Sequence, residues 1–520
     1  MWKKSERIKG GFSKDKNVYR VVSKIEWGLR MSEKIADNIE NVSMALICWI
    51  GIFCGGGIML SSYWGMEGTV KILAYIMLIV GIISWVLLKK SNLCIQITSR
   101  QMIVILSVLC LVYKTSVVLL IKTNPVADYL TFDSIAKIFA ERGDLSYYSR
   151  YMSLYPHVFG YSYVLGIIYK IFGTSEIVVP VMNVALSYIS LILIYKILQK
   201  LYGAESAFWG GILWVFCPSQ SIWNSTILSE PLYNMFVLLA LYLCIILVLD
   251  AKYESLNSKT VLFYVTLSGT LVILNFLRPI SAIFIIIIAV TLFVCSLKNT
   301  SKKKILWKLV CFLLVCITYF AGNKIVDVGI TRIIGEEPSS VPGASFYLGS
   351  NENTNGQWNQ EDWDKILNMA NEENATGKIT QEKVMEEALV RIKSINNPVQ
   401  LLLKKFVVFW GNDQTVIAHT VAGGFEISGM RFDLLCAISN AFLLFITTLS
   451  LVNLWDLGYK KNVGAICVVL FLIGLTMSQM LVEVMGRYHY SGISVLIILS
   501  AGAFRNGQII MKREKENDNV

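Results

Sequence analysis

Apolar stretches long enough to cross a lipid bilayer recur along most of this 520-residue chain. Runs such as Val42–Leu60 and Ile305–Phe320 come close to the roughly 20 helical residues that span the ~30 Å hydrocarbon core. Such runs predict twelve spanning helices, near 43–62, 69–89, 101–121, 176–198, 205–222, 229–250, 260–277, 279–297, 305–326, 432–455, 463–482 and 488–505. We therefore predict an all-α fold, a polytopic transmembrane helix bundle with a small extracytoplasmic loop region.

Two shorter apolar stretches, 157–172 and 399–410, remain, and the distribution of Lys and Arg decides how they are placed. Residues 1–40 carry ten basic against six acidic side chains, and basic groups also cluster further along the chain, at 302–304, 460–461 and 512–515. Cytoplasmic loops are enriched in Lys and Arg, and all these clusters are cytoplasmic only if neither short stretch crosses. We predict twelve spans with both termini in the cytoplasm, and a count of about 11 to 14 stays open.

This topology divides the chain into seven regions. They are a basic cytoplasmic segment (1–42), three N-terminal helices (43–122), a first extracytoplasmic loop with an amphipathic helix (123–175), a helix bundle (176–327), a second extracytoplasmic region (328–411), the C-terminal helices (412–505) and a cytoplasmic tail (506–520). Within 328–398, the residues Gly, Pro, Ser and Asn predict turns, and 383–395 is predicted to be a helix with Val384, Ala388, Ile392 and Ile395 on one face.

Composition narrows the class of protein further. Hydrophobic residues make up 55% of the chain and charged residues only 16%, against about a quarter in soluble proteins. The net charge of +11 comes from basic clusters in the predicted cytoplasmic segments. We therefore expect membrane lipids, and no nucleic acid, as the partners of these charges. The 11 cysteines lie almost entirely in apolar runs, which argues against a disulfide framework. The three histidines are too far apart in sequence for a Cys/His metal site.

Polar residues collect at the predicted outer ends of the helices, in four clusters at 128–144, 224–230, Arg278 and 483–489. An ionisable group at membrane depth costs roughly 2.5–3.5 kcal/mol on insertion scales. A set of such groups on one side therefore predicts a site that borders one outward cavity. The alternative is that each is an ordinary helix-end residue at the level of the lipid headgroups.

Two of these clusters also have a structural explanation. We predict that a short amphipathic helix begins at Asp133, which would then be its N-cap. Asp128 lies upstream of that helix, where capping does not explain it. In the second cluster, Ser229 and Pro231 suit a helix start, so capping explains Glu230 as well as a role in a binding site does.

Five segments follow one another in an order that resembles a known family. They read ADYLTFDSIAKIFAERGD, YPHVFGYSYVLGIIYKIFG, LQKLYGAESAFWGGILWVFCPSQSIWNSTILSEPLYNMFVLLALYL, LRP and VEVMGRYHYSGISVLIILSAG. Over about residues 123–505 this order resembles the GT-C glycosyltransferases, specifically the protein mannosyltransferase and aminoarabinose transferase branch (glycosyltransferase family 39-like). That family normally has one helix before the first loop, whereas this chain has three.

The resemblance implies a polyprenyl-phosphate sugar donor, an outward-facing cavity and a base-type Asp in the first outer loop. In the family that Asp lies eight residues before the Ala of the first-loop helix, and here the matching pair is Asp128 and Ala136. Asp128 is then the candidate general base. The family often has Glu at the next position, where this chain has Tyr129. We therefore predict no required cofactor and no metal ligands, and leave a divalent metal open.

A phosphate leaving group also needs a basic partner, and the planar guanidinium of Arg pairs well with phosphate oxygens. Arg278 and Arg487 both lie at outer helix ends, and Lys324 is a third option. Snorkelling to the interface is the alternative for Arg278, and Arg487 is preferred for its polar neighbours. The full predicted set for substrate and phosphate binding is Arg278, Arg487, Asp133, His157, Glu230, Glu483, Tyr488 and His489.

The sequence and the resemblance thus favour a membrane glycosyltransferase of the cell envelope, a multi-pass protein of the plasma membrane whose active site is extracytoplasmic. It would move a sugar from a polyprenyl-phosphate donor to a hydroxyl of an acceptor lipid, glycopolymer or protein. The main alternative is a transporter or flippase of a lipid-linked sugar, and a membrane assembly factor without chemistry is a third possibility. Transporters tend to show internal repeats and polar sites at mid-membrane, and neither pattern is visible in this sequence.

Overall fold

The structure, a computed structural model, describes residues 16–91, 95–250, 258–297, 302–458, 462–505 and 509–511. The basic residues at 460–461 and 512–515, used above to orient the chain, lie outside the described residues. The helices in chain order are α1 (Lys16–Gly65), α2 (Gly68–Lys90), α3 (Ser99–Leu120), α4 (Asp128–Glu141), α5 (Ser146–Leu154), α6 (Pro156–Phe172), α7 (Val178–Tyr202), α8 (Ala204–Val215), α9 (Pro218–Ile222), α10 (Glu230–Leu249), α11 (Ser258–Leu277), α12 (Ala282–Leu297), α13 (Lys302–Ile334), α14 (Gly343–Gly349), α15 (Gln360–Ala370), α16 (Gly377–Lys393), α17 (Pro398–Trp410), α18 (Thr415–Ala422), α19 (Gly429–Leu457), α20 (Val463–Leu481) and α21 (Tyr490–Ala501).

The predicted helix bundle is confirmed. In the described part of the chain, nine helices are long and apolar enough to cross a membrane: α1, α2, α3, α7, α10, α11, α13, α19 and α20. Two strands of three residues, β1 (Ile95–Ile97) and β2 (Ile509–Met511), form a parallel pair beside the bundle. The helices α6 and α17, which match the short apolar stretches, are not among the nine.

Three of the twelve predicted spans are shorter or interrupted in the structure. The predicted helix 205–222 breaks after Val215 and resumes at Pro218, because proline lacks an N–H and disfavours the helical conformation in the residue before it. The predicted helix 488–505 consists of α21 flanked by two short 3₁₀ turns. The third, α12, has 16 residues. The number of membrane crossings therefore stays a prediction.

Contacts between helix ends show which of these ends lie together at each end of the bundle. At one end, Gly65 packs so closely on Gly411 that a Cβ at Gly65 would lie 2.5 Å from the Gly411 Cα. At that end Asn412 Nδ2 donates to the Gly65 carbonyl over 3.0 Å. At the opposite end, Asn462 Nδ2 donates to the Leu201 carbonyl over 2.9 Å. These contacts agree with the alternating helix directions that the sequence predicts.

Helices α4 and α6 are held close to the bundle by small residues. A Cβ at Gly160 of α6 would lie 1.9 Å from the carbonyl oxygen of Phe276 in α11. On another side of α6, a Cβ at Gly166 would lie 2.6 Å from Cβ of Phe139 in α4. Glycine allows backbones to approach this closely. The start of α4 and the end of α11 are thereby brought to the same end of the bundle.

Helices α14, α15 and α16 form a small unit with its own apolar core at that end. Val384 and Ala388 are buried in this core as predicted, whereas Ile392 is exposed. The predicted helix 383–395 is in fact Gly377–Lys393, and α14 and α15 were not predicted. Across the unit, Arg391 binds Asp362 at 2.8 Å. The unit is attached to the chain beyond α20 by a hydrogen bond of 2.7 Å from the Glu483 amide to the Ser345 carbonyl.

Candidate functional site

Asp128 is the first residue of α4, so the prediction that this helix begins at Asp133 is wrong. The turn before it is sharp, because Ala127 adopts φ 50°, a conformation that costs L-residues about 1–3 kcal/mol. A carboxylate in the first turn is favoured by the helix dipole. The position of Asp128 therefore has a local structural benefit in addition to any role in a site.

The Asp128 carboxylate forms an ion pair with Arg487, from the 3₁₀ turn Gly486–His489 that follows α20. The Arg487 side chain is only 8% exposed, whereas that of Asp128 is 48% exposed. Burial raises the pKa of Asp128, but the charge and hydrogen bond of Arg487, with smaller effects of Arg278 and His157, together lower it below its usual value. Asp128 is therefore ionised and accessible from one side.

A second ion pair lies beside the first. Arg278 follows α11 and donates from Nη2 to Glu230 Oε1 over 2.7 Å, with side-chain exposures of 16% and 1%. Arg278 Nε also donates to the Ser229 hydroxyl over 3.3 Å. Ser229 has a helical backbone and makes no capping hydrogen bond. The helix does begin at Glu230 with proline in its first turn, but Ser229 provides no side-chain cap, and the Glu230 carboxylate binds Arg278.

The Tyr488 ring lies between the two arginines. Each guanidinium carbon is 5.5 Å from the centroid of this ring. The Tyr488 hydroxyl donates to Glu483 Oε1 over 3.4 Å. Cation–π contacts with a shared ring stabilise two cations close to each other without a direct contact between them. The structure thus brings together six predicted site residues: Asp128, Glu230, Arg278, Glu483, Arg487 and Tyr488.

The charges of this cluster and burial shift the pKa values of Glu483, which belongs to it, and of the nearby His157. Burial raises the pKa of Glu483 to about 7, despite the opposing effect of Arg487. Burial, followed by the charge of Arg278, lowers the pKa of His157 to about 3, so its imidazole is neutral at physiological pH. His157 also lies 6.0 Å, centroid to centroid, from Tyr155. Glu483 is the group of the cluster whose charge changes near neutral pH.

Asp133 is directed away from the cluster. It lies five residues after Asp128 on α4, which rotates it by about 140° around the helix axis. Its carboxylate binds Lys137 Nζ and accepts from the Tyr169 hydroxyl, both at 2.6 Å. Asp133 is therefore neither an N-cap nor a neighbour of the arginines, and its contacts join α4 to α6.

His489 is likewise directed away from the arginines, although it is two residues from Arg487. Its Nδ1 lies 2.5 Å from the Phe409 carbonyl and its Nε2 lies 3.1 Å from Asp413 Oδ1. Its ring stacks on Trp410 with an interplanar angle of 3°. His489 therefore anchors the Gly486–His489 turn to the end of α17.

Several residues near the site were not predicted from the sequence to belong to it. The Tyr129 ring lies 5.5 Å from the Arg487 guanidinium and 5.2 Å from the His419 ring. Lys405 of α17 is buried and donates to the carbonyls of Gly349 and Val482 over 2.9 and 2.7 Å. Lys405 could have been suspected as a charged residue in an apolar stretch, but nothing in the sequence identifies its partners.

No metal site is apparent at this cluster. Within the described ranges, no group of three or more His, Cys, Asp or Glu side chains is arranged to hold a metal ion.

Three comparisons relate the chain to known proteins. Residues 156–321 match the family model for dolichyl-phosphate-mannose-protein mannosyltransferase. Among curated proteins, no sequence matches the chain. Among solved structures, matches of low sequence identity were found.

One similar structure is the archaeal oligosaccharyltransferase AglB from Archaeoglobus fulgidus, in complex with an inhibitory peptide and a dolichol-phosphate. It has 11% identity and a TM-score of 0.44 over 78% of this chain, and this chain spans only 50% of its length. Another is ArnT from Cupriavidus metallidurans bound to undecaprenyl phosphate, with 11% identity and a TM-score of 0.31 over 77% of each chain. At these values neither structure assigns a role to a residue of this chain. The family match nevertheless confirms the recognition made from the sequence: over residues 156–321 the chain is similar to the dolichyl-phosphate-mannose-protein mannosyltransferases, glycosyltransferases of the GT-C type.

Proposed function

We propose that this protein is a membrane glycosyltransferase that transfers a sugar from a polyprenyl-phosphate-linked donor to an acceptor hydroxyl at the extracytoplasmic face. The observation that carries the proposal is the half-exposed Asp128 carboxylate beside the buried guanidinium of Arg487 and the partly buried guanidinium of Arg278. A carboxylate can accept a proton, and guanidinium groups can hold a phosphate. The family match over residues 156–321 supports the same activity.

The chemistry requires one bond to form at the anomeric carbon while another breaks. Asp128 accepts the proton of the acceptor hydroxyl, and the acceptor oxygen then forms a bond to the anomeric carbon. The bond from that carbon to the phosphate oxygen breaks, and its electron pair leaves with the polyprenyl phosphate. Positive charge at Arg487 stabilises the negative charge that develops on the phosphate, while Arg278 lies beside it in its ion pair with Glu230.

The distribution of charge favours this enzyme over a transporter. The cluster around Tyr488 lies at one end of the bundle, with the α14–α16 unit attached beside it. Transporters typically bind their substrate near the bilayer midplane between two repeats. A transferase that takes its donor from one leaflet needs its charged groups at one end, as observed here.

Replacement of Asp128 by Asn tests the proposal. With a polyprenyl-phosphate sugar and an acceptor lipid or glycopolymer, we expect Asp128→Asn to reduce transfer by about 10²–10⁴-fold, the usual contribution of a general base. Glu141→Gln, at the exposed end of the same helix, is the matched control and should keep normal transfer. Near-normal transfer by a correctly folded Asp128→Asn protein would remove the proposed role of this residue.

A further inference from the structure

The two arginines of the site differ in how firmly their acidic partners are held. Glu230 is 1% exposed and lies within the bundle, with its two carboxylate oxygens contacting Arg278 and the Ser229 hydroxyl. Separating this pair would leave an uncompensated buried charge, which typically costs about 3–5 kcal/mol. Arg278 and Glu230 therefore form a permanent pair whose charges largely cancel.

The partner of Arg487 is held much less firmly. The Asp128 side chain is 48% exposed, so water can solvate its carboxylate if it leaves Arg487. In the described part of the chain, the buried Nε of Arg487 has no hydrogen-bond partner. The guanidinium thus keeps a free donor next to the carboxylate it already binds, and a planar oxyanion or a phosphate can engage two of its N–H groups at once.

A phosphate and a carboxylate compete for the same face of a guanidinium, and both cannot occupy it without mutual repulsion. Building on the proposed function, we propose that the donor phosphate takes Arg487 from Asp128, so that the base is released only when the donor is bound. Arg487 is then the phosphate-binding residue, and Arg278, neutralised by Glu230, positions the Tyr488 ring between them.

The transfer of Arg487 from Asp128 to the donor phosphate explains how Asp128 can form an ion pair in one state and act as a base in another. While Arg487 is its partner, the pKa of Asp128 is held below its usual value and it is a poor base. Once the phosphate has taken Arg487, that effect is lost and the nearby negative charge makes Asp128 a stronger base. Before the donor binds, Asp128 is paired with Arg487 and does not deprotonate an acceptor or a water molecule. Donor binding therefore precedes activation of the acceptor.

The affinity for polyprenyl phosphate can be measured without turnover and tests this exchange of partners. Full-length protein in lipid nanodiscs is titrated with polyprenyl phosphate, and dissociation constants are measured for the wild type, Asp128→Asn, Arg487→Gln and the double variant. We expect Asp128→Asn to bind about tenfold or more tightly, because it no longer competes for the guanidinium. Arg487→Gln should bind more weakly than the wild type.

The double variant separates competition from simple charge repulsion. If Asp128 competes for Arg487, its removal in the Arg487→Gln background brings no gain, and the two effects are strongly coupled. A similar gain in both backgrounds, or no gain in either, would overturn the exchange while leaving the glycosyltransferase proposal intact. Failure of the folded wild type to bind polyprenyl phosphate would instead overturn the proposed function itself. Asp128→Ser serves as a second variant, with the same expected direction, should Asp128→Asn fold poorly.

Discussion

Glu483 is the residue of the site whose charge responds most strongly to small changes of pH. Its pKa is raised to about 7 by burial, close to Arg487 and to Tyr488, which donates to it. Below this pH the carboxyl is neutral, and above it the carboxylate adds a negative charge near the proposed phosphate position. Glu483 therefore weakens donor binding only in its ionised form.

The affinity for the donor should decline as the pH rises through 7. The donor is a phosphodiester with a constant charge in this range, so we expect its KM to increase about 3–10-fold between pH 6 and pH 8, because a like charge is added nearby. Glu483→Gln should abolish the increase, whereas Glu141→Gln should retain it. A pH-independent KM in the wild type would contradict this assignment, and the measurement is a pH series of initial transfer rates.

The residues of the site could be predicted from sequence more easily than their partners. Asp128, Arg278 and Arg487 lie at predicted outer helix ends, and their convergence follows from the helix directions. Their pairing does not, because Asp128 and Arg487 are 359 positions apart and only packing brings them into contact. Asp133 was wrongly assigned to the site because it is close to Asp128 in sequence. On α4 the two side chains point in different directions, and Asp133 contacts Lys137 and Tyr169 instead.

At the scale of elements, α17 joins the α14–α16 unit to the bundle through one buried cation. The Lys405 ammonium group donates to the Gly349 carbonyl at the end of α14 and to the Val482 carbonyl just after α20. The two backbones also approach closely, since a Cβ at Gly349 would lie 2.3 Å from the Val482 carbonyl carbon. Lys405 thus fixes the start of the segment that carries Glu483 and Arg487.

Replacement of Lys405 by Met should destabilise this junction. The two carbonyls would lose their common donor, at a cost of about 1–3 kcal/mol for each buried group that stays unsatisfied. We expect a lower apparent melting temperature and faster proteolysis within residues 335–397. Lys404→Met is the matched control, because Lys404 is exposed on the same helix. Equal stability of the two variants would show that the Lys405 hydrogen bonds are not needed.

Element boundaries were predictable where length and apolarity decide them. The nine long apolar helices lie close to their predicted positions, although α1 and α13 continue well beyond the predicted spans. Pro218 by itself indicates a helix break, but the apolar residues on either side of it led to the prediction of one continuous span. In the loop 328–398, α14 and α15 were missed because Gly and Asn next to them suggested turns, and such short helices depend on packing rather than on their own propensity.

For the molecule as a whole, the site must face the extracytoplasmic side if the proposed function is correct. The predicted helix directions place α15 outside the cell and the end of α2 inside. Cysteine introduced at Glu361, an exposed residue of α15, should react with a membrane-impermeant maleimide in intact cells. Cysteine introduced at Lys90, exposed at the end of α2, should react only after the cells are made permeable. The reverse labelling pattern would contradict this orientation.

Helix α1 is continuous for 50 residues, about 75 Å at 1.5 Å per residue, and only residues 41–65 form its candidate span. Residues 16–40 of this helix precede the candidate span, and Gly65 is its last residue. Gly65 is in backbone contact with Gly411, and the nearby Asp413 holds His489, in the turn that carries Arg487. One unbroken helix therefore connects the predicted cytoplasmic segment to a chain of contacts that ends at the turn bearing Arg487.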